Sequence, residues 1–127
     1  MILVDSSVWI ETLHNPTFRA YARLSEILDA EAATCGPVIQ EVLQGVREEA
    51  VLQQVRTRMF LLPYLEATRE TFDAAGRLFR RCKRLGARVR TTDVLIASIA
   101  IENDVTLWTL DRDFARIQRH SDLQLYP

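Results

Sequence analysis

Cysteine and histidine are scarce in this chain, and each shortage removes a class of protein. Cys35 and Cys82 are its two cysteines, far apart and without a second pair, so the sequence offers neither a disulfide framework nor a zinc site with its short ligand spacings. The two histidines, His14 and His120, read as surface or structural residues and not as a general base. The longest uncharged apolar run, Val94 to Ile101, is far too short to cross a bilayer. The N-terminus opens on a strand-like Ile2-Leu3-Val4 and not on a basic leader. A cytoplasmic protein with no membrane partner is therefore expected. Net charge is also lacking: at −1, the molecule as a whole is not drawn to nucleic acid, and any such attraction must be local.

What the chain does have is apolar area. With 127 residues, 48% of them hydrophobic, one domain over residues 1–127 is expected, without linker, repeat or low-complexity tract. Met1 to Val4 reads as a buried strand, and Asp5-Ser6-Ser7 offers N-cap chemistry to a helix that Pro16 ends. Tyr21, Leu24, Ile27 and Leu28 recur at helical spacing from Phe18 onward, leading to a short strand at Thr34 and Cys35. Gly36-Pro37 then starts a helix running to about Val46. A helix through Leu52 and Val55 is followed by a strand expected at Met59 to Leu62, closed by Pro63. Arg69 to Leu85 is helical, and Thr91 or Thr92 caps a helix that is apolar nearly all round and belongs in the core. Thr106 to Leu110 is a strand, Asp111 to about Arg119 a short helix, and Leu123 to Tyr126 a last strand. Alternating strands and helices point to an α/β fold with three layers, α/β/α, around a mainly parallel sheet.

Four acids punctuate this plan. Asp5 follows a buried strand, Asp93 opens a buried helix, Asp111 follows another buried strand, and Glu41 sits between Val38 and Gly45 on a partly apolar helix turn. Each alone has an ordinary reading as a cap, a helix-dipole partner or a solvated acid. Together they suggest carboxylates gathered at one sheet edge, where ligands of open α/β folds bind. Buried anions persist only when paired or metal-bound. No lysine or arginine lies within four residues of Asp5 or Glu41, whereas Arg90 and Arg112 are near Asp93 and Asp111. Oxygen ligands suit hard cations, so Mg²⁺ or Mn²⁺ is the expected partner of the group.

The stretches Ile2-Leu3-Val4-Asp5-Ser6-Ser7-Val8-Trp9-Ile10, Val38-Ile39-Gln40-Glu41-Val42-Leu43, Thr92-Asp93-Val94-Leu95-Ile96-Ala97 and Thr109-Leu110-Asp111-Arg112-Asp113-Phe114 resemble the PIN domain and, more narrowly, the VapC toxins of VapBC toxin–antitoxin pairs. The likeness covers essentially the whole chain, in the right order. It implies a metal-dependent ribonuclease with Asp5, Glu41, Asp93 and Asp111 as catalytic and metal-binding acids, supported by Ser6 and Thr109. It also implies an RNA substrate, transfer or ribosomal, a VapB-type antitoxin that blocks the site, and a homodimer. Asp113 is a further acid that either ligates a second ion or caps the short helix, the cap being preferred. The rival is a PIN-like module that binds RNA or protein without cleaving, because fold alone does not confer chemistry. A phosphoacceptor receiver domain is excluded, since Val51 to Leu65 carries no aspartate and no lysine follows Lys83.

A basic stretch precedes Asp93. On its helix, Phe72, Ala75, Phe79 and Cys82 form the apolar stripe, while Arg77, Arg80, Arg81 and Arg84 project from the other side, with Arg88 just beyond. These five arginines are either a solvated face or phosphate contacts that position RNA at the acidic pocket. Trp9 and Trp108 offer ring faces of the kind on which bases stack, Trp108 reading rather as core.

Overall fold

Strands of two to four residues persist in this molecule because most of them are buried on every side. Strand β1 (Ile2–Val4) and strand β2 (Ala32–Cys35) are buried at each position. That is the pattern of central parallel strands covered on both faces by helices. The computed structural model describes residues 1–15, 19–28 and 30–127, and the side chains of 19–22 and 28 are not among what it describes. Pro16, Phe18, Tyr21 and Leu28 therefore lie outside the described residues or side chains.

Helices α1 (Ser6–His14) and α2 (Arg19–Leu28) join β1 to β2; α3 (Gly36–Gly45) and α4 (Glu49–Phe60) join β2 to β3 (Tyr64–Leu65). Helices α5 (Arg69–Arg84) and α6 (Thr91–Glu102) then lead to β4 (Thr106–Trp108) and α7 (Phe114–Arg119). The sheet has the order β3-β2-β1-β4 and all its pairings are parallel. Ile2 faces Ala32 on one side and Thr106 on the other, and Val4 faces Trp108. The chain thus winds outward from β1 through β2 to β3, then crosses back to lay β4 on the opposite side of β1. Right-handed crossovers make such a reversal place the second set of helices on the other face, giving the three layers expected.

Helix α6 is the middle of the core. Val94, Ile96, Ala97, Ile99 and Ala100 are at most 2% exposed, and Ser98 returns its hydroxyl to the Val94 carbonyl at 2.7 Å. Its tie to α5 is polar: Thr71, fully buried, accepts from the Thr68 amide at 2.9 Å and donates to Glu102 at 2.8 Å. Neither Thr91 nor Thr92 caps α6. Both lie inside the helix, and the N-cap position belongs to Arg90, in extended conformation. No helix among the described residues is long and apolar enough to cross a membrane.

Four more expectations are corrected. Met59 and Phe60 end α4 instead of starting a strand, and the strand lies beyond Pro63, at Tyr64–Leu65. The physical reason is a helical stripe: Val55 and Met59, four apart, are both buried, whereas Phe60 and Leu61 are exposed. Leu123 to Tyr126 forms a single parallel bridge, Leu125 to Leu107, in place of a strand. Two backbone bonds hold it there, and Pro127 has no N–H to extend the ladder. On α5, Phe72 stands outside the apolar stripe, which Thr71 joins instead. Trp9, at 4% exposure, is core and presents no face to a base, and Trp108, at 7%, is core as expected. Cys35 and Cys82 are free and buried.

The α4 correction has a direct test. A strand would place Met59 and Leu61 on one face, but in the helix Met59 is buried and Leu61 is 78% exposed. Met59→Ala is expected to cost about 2–5 kcal/mol in urea unfolding and Leu61→Ala less than about 0.5 kcal/mol. Equal losses would contradict the helical assignment.

Candidate active site

The reversal of strand order puts the carboxyl ends of β1 and β4 side by side, which is where an open α/β sheet leaves a crevice. Asp5 follows β1 and Thr109 follows β4, their strands locked together by the Asp5 amide donating to the Trp108 carbonyl at 2.9 Å. Asp5 holds the N-cap position of α1, but its carboxylate makes no cap bond. Instead Ser7 and Thr109 each donate a hydroxyl to Asp5 Oδ2 at 2.7 Å. Each hydroxyl accepts in turn, Ser7 from the Leu110 amide at 2.9 Å and Thr109 from the Asp111 amide at 3.0 Å. With both protons committed, Asp5 acts purely as an acceptor, and its burial at 3% exposure keeps it in place.

Three acids meet beside it. Oxygens of Asp93, Asp111 and Asp113 all lie within 4.8 Å of one another, a group able to hold a metal ion. Asp93 comes from the first turn of α6 and is 3% exposed; the other two come from the turn after β4. Asp111 Oδ1 accepts from the Asp113 amide at 2.9 Å, an Asx turn that bends the chain so that both carboxylates face Asp93. Asp113, expected as a helix cap, occupies the N-cap position of α7 without a side-chain cap bond, and its carboxylate belongs to the triad. Glu41, on α3, is outside the triad and accepts from Ser6 at 3.2 Å.

The electrostatics are those of crowded anions. Burial first, then the charge of Asp5, raises the Glu41 carboxyl above its ordinary value, against the opposing Ser6 hydrogen bond. Burial likewise raises Asp93; Arg90 pulls the other way, and Asp111 and Asp5 push it up again. Cys35, at the head of α3, is pushed up to about 12 mainly by burial, with Asp5 and Glu41 adding to it. Its thiol therefore stays protonated and takes no part as a nucleophile.

The structure thus brings together Asp93 and Asp111 of the expected four, sets Asp5 and Glu41 beside them through hydroxyl-bonded positions, and adds Asp113. Ser6 serves Glu41, and the hydroxyls on Asp5 are Thr109 and Ser7. Ser7 was missed, although Asp5-Ser6-Ser7 carries two hydroxyls. Arg90, near Asp93 in sequence, reaches a second acid as well: Nε donates to Asp93 Oδ2 at 3.1 Å and Nη2 to Asp111 Oδ2 at 3.0 Å. Arg116 sits 3.6 Å from Asp113. The Arg90–Asp93 and Arg116–Asp113 pairs follow from i,i+3 spacing, which the sequence displays, whereas the Arg90–Asp111 bond spans 21 residues and is made by the fold. Arg80, Arg81 and Arg84 are exposed along α5, Arg88 is exposed beyond it, and Arg77 is paired with Asp73 at 3.0 Å.

Parallel sheet, crevice and oxygen-only acidic edge define a PIN domain: the family model of that description matches residues 2–120. Ribonuclease VapC11 of Mycobacterium tuberculosis is 32% identical over 129 residues, spanning 98% of this chain and 96% of its own. Ribonuclease VapC32 of the same organism is 35% identical over 115 residues, 88% of this chain and 86% of its own. The chain belongs to the PIN domain family and, within it, to the VapC ribonucleases. The crystal structure of VapBC2 from Rickettsia felis bound to a promoter DNA fragment shares the fold, with a TM-score of 0.81 and 20% identity over 99% of this chain and 98% of that one.

Raised carboxyls make a signed prediction. Because folded Asp93 binds its proton more tightly than the unfolded chain does, its charge opposes folding at neutral pH, and this cost fades as pH falls through the folded value towards the ordinary one. In EDTA at neutral pH, Asp93→Asn is expected to raise the melting midpoint by roughly 3–6 °C, the effect of about 1 kcal/mol. Calorimetry should show that gap narrowing on acidification, and a widening gap would refute the assignment.

Proposed function

We propose that this chain is a divalent-metal-dependent endoribonuclease, the VapC-type toxin of a toxin–antitoxin pair. It would cut transfer or ribosomal RNA in the cytoplasm, halting translation and growth until a VapB-type antitoxin covers the site. The observation that carries this reading is the convergence of Asp93, Asp111 and Asp113 beside a hydroxyl-pinned Asp5 at the strand-reversal crevice. Relatives named as ribonucleases and a structural neighbour solved as a toxin–antitoxin complex support it. A homodimer is part of the same reading.

The donors fit a hard cation: all are carboxylate oxygens, with no histidine or thiol among them, as Mg²⁺ or Mn²⁺ requires. Asp93, Asp111 and Asp113 would hold it, with Asp5 and Glu41 completing the acidic edge. When bound, such an ion supplies Lewis-acid polarisation of a phosphate and lowers the pKa of water for in-line attack. The chain's own residues do the rest. Ser7 and Thr109 fix Asp5, so the acidic edge does not rearrange when substrate arrives. Ser6 donates to Glu41 at 3.2 Å and so orients that carboxylate at the same edge. Arg77, Arg80, Arg81, Arg84 and Arg88 would lead the RNA backbone towards the crevice, Arg77 only after release from Asp73.

Purified chain incubated with cellular RNA and Mg²⁺ or Mn²⁺ is expected to yield discrete products. They should disappear with EDTA and fall at least about 100-fold in Asp93→Asn. Full activity in that variant would remove the catalytic assignment, and inactivity of a folded, antitoxin-free sample would favour a binding role. Arg80→Ala with Arg84→Ala is expected to weaken RNA binding and lower the log–log salt slope by about 0.7 per lost contact. An unchanged slope would make α5 a merely solvated face.

A further inference from the structure

Each carboxylate of the acidic triad already has an arginine of the chain itself within ion-pair distance, two arginines serving three acids. Arg90 spans two of them: Nε reaches Asp93 Oδ2 at 3.1 Å, Nη2 reaches Asp111 Oδ2 at 3.0 Å, and the same Nη2 lies 3.5 Å from Asp93 Oδ1. Arg116 stands against Asp113 at 3.6 Å. The planar fork of a guanidinium offers separate nitrogens to the two carboxylates, whereas the donors of an ammonium radiate from a single nitrogen. Its bonds fall on two carboxylates of the group able to hold a metal ion, so a divalent ion and the guanidinium would compete for Asp93 and Asp111.

Which of them can move is decided by burial. The Asp93 side chain is 4% exposed on a helix packed all round, whereas that of Arg90 is 65% exposed. Arg90 sits at the N-cap of α6 in extended backbone, ahead of the helix, with its side chain largely open to solvent. Arg90 also lines a cleft of about 430 Å³, whose walls combine the apolar Phe79, Ala87 and Val89 with the cations Lys83, Arg88 and Arg116. Those cations are the groups there that a phosphate oxygen could meet.

We propose that Arg90 is a built-in counter-ion which holds the acidic edge in the metal-free chain, is displaced by the incoming divalent ion, and turns its freed guanidinium into the adjoining cleft to meet an RNA phosphate. Ion loading and substrate engagement are coupled through one side chain. The inference rests on the metal-dependent reading above and adds to it a competitor encoded in the chain.

The test is isothermal titration of the full chain with Mn²⁺ at about pH 8, well above ordinary carboxylate values, for wild type, Arg90→Gln and Arg90→Lys. Arg90→Gln is expected to bind Mn²⁺ about tenfold more tightly, the factor equivalent to one charge-assisted hydrogen bond of about 1.4 kcal/mol. It should also melt lower in EDTA and gain more from added Mn²⁺ than wild type does. Arg90→Lys, which keeps the charge but lacks the planar fork, should fall between the two, and it decides the matter if the glutamine variant does not fold. Equal or weaker ion binding in the variants, with wild type binding normally, overturns the counter-ion role and leaves the metal reading standing. No ion binding by wild type removes both.

Discussion

Everything at the acidic edge depends on like charges being forced together by apolar packing. Two carboxylates about 4 Å apart repel by about 4 kcal/mol at an effective dielectric of 20, and left to themselves the acids would swing apart. They do not, because their backbones are not free. Asp5 is tied to β4 through its own amide, Asp93 is carried by a helix with no exposed side in its central turns, and the Asp111–Asp113 turn is closed by its own side chain. The hydrophobic core thus does electrostatic work: it holds anions where only a cation makes them comfortable.

Compensation comes in layers. Hydroxyl protons converge on Asp5, one hydroxyl serves Glu41, and guanidinium groups sit on the other three acids. Asp5 has two short bonds from short side chains, whereas Asp93, equally buried, and the more accessible Asp111 and Asp113 meet long arginines that solvent also reaches. A short hydroxyl side chain carries its proton close to the backbone, whereas an arginine reaches from a distance through a chain of rotatable bonds. On the proposal above, the acids partnered by arginine are the exchangeable part of the edge.

Much of this was legible in the residues. The central strand Ile2–Val4, the all-apolar α6 and the four spaced acids announce a parallel sheet and a carboxylate edge, because burial on both faces demands uninterrupted apolar runs. Asp113 was mistaken for a cap because cap preference is a local rule, and its partners, Asp93 and the Asp111 turn, are brought to it by tertiary structure. Met59 to Leu62 was read as a strand because short apolar runs look alike in either period; the deciding contact is Met59 stacking with Val55 on one helix face. The tail at Leu123–Tyr126 has a strand's composition, but only Leu125 finds a bridge partner, in Leu107. The basic stretch was legible as a charge, yet Arg90 is set apart from its neighbours by a single geometric fact, two aspartates within reach of one guanidinium.

The burial of α6 on all sides also bears on how such a chain can change over generations. Aliphatic side chains in that helix can be exchanged for one another with repacking, so its letters are loosely constrained. Its length is not. One residue inserted or removed between Asp93 and Ile96 would turn the acid by about 100° relative to the packed turns behind it, carrying the carboxylate off the crevice while leaving composition and hydropathy almost untouched. The helix is a spacer measured in residues, and drift that is harmless as substitution becomes disabling as insertion or deletion.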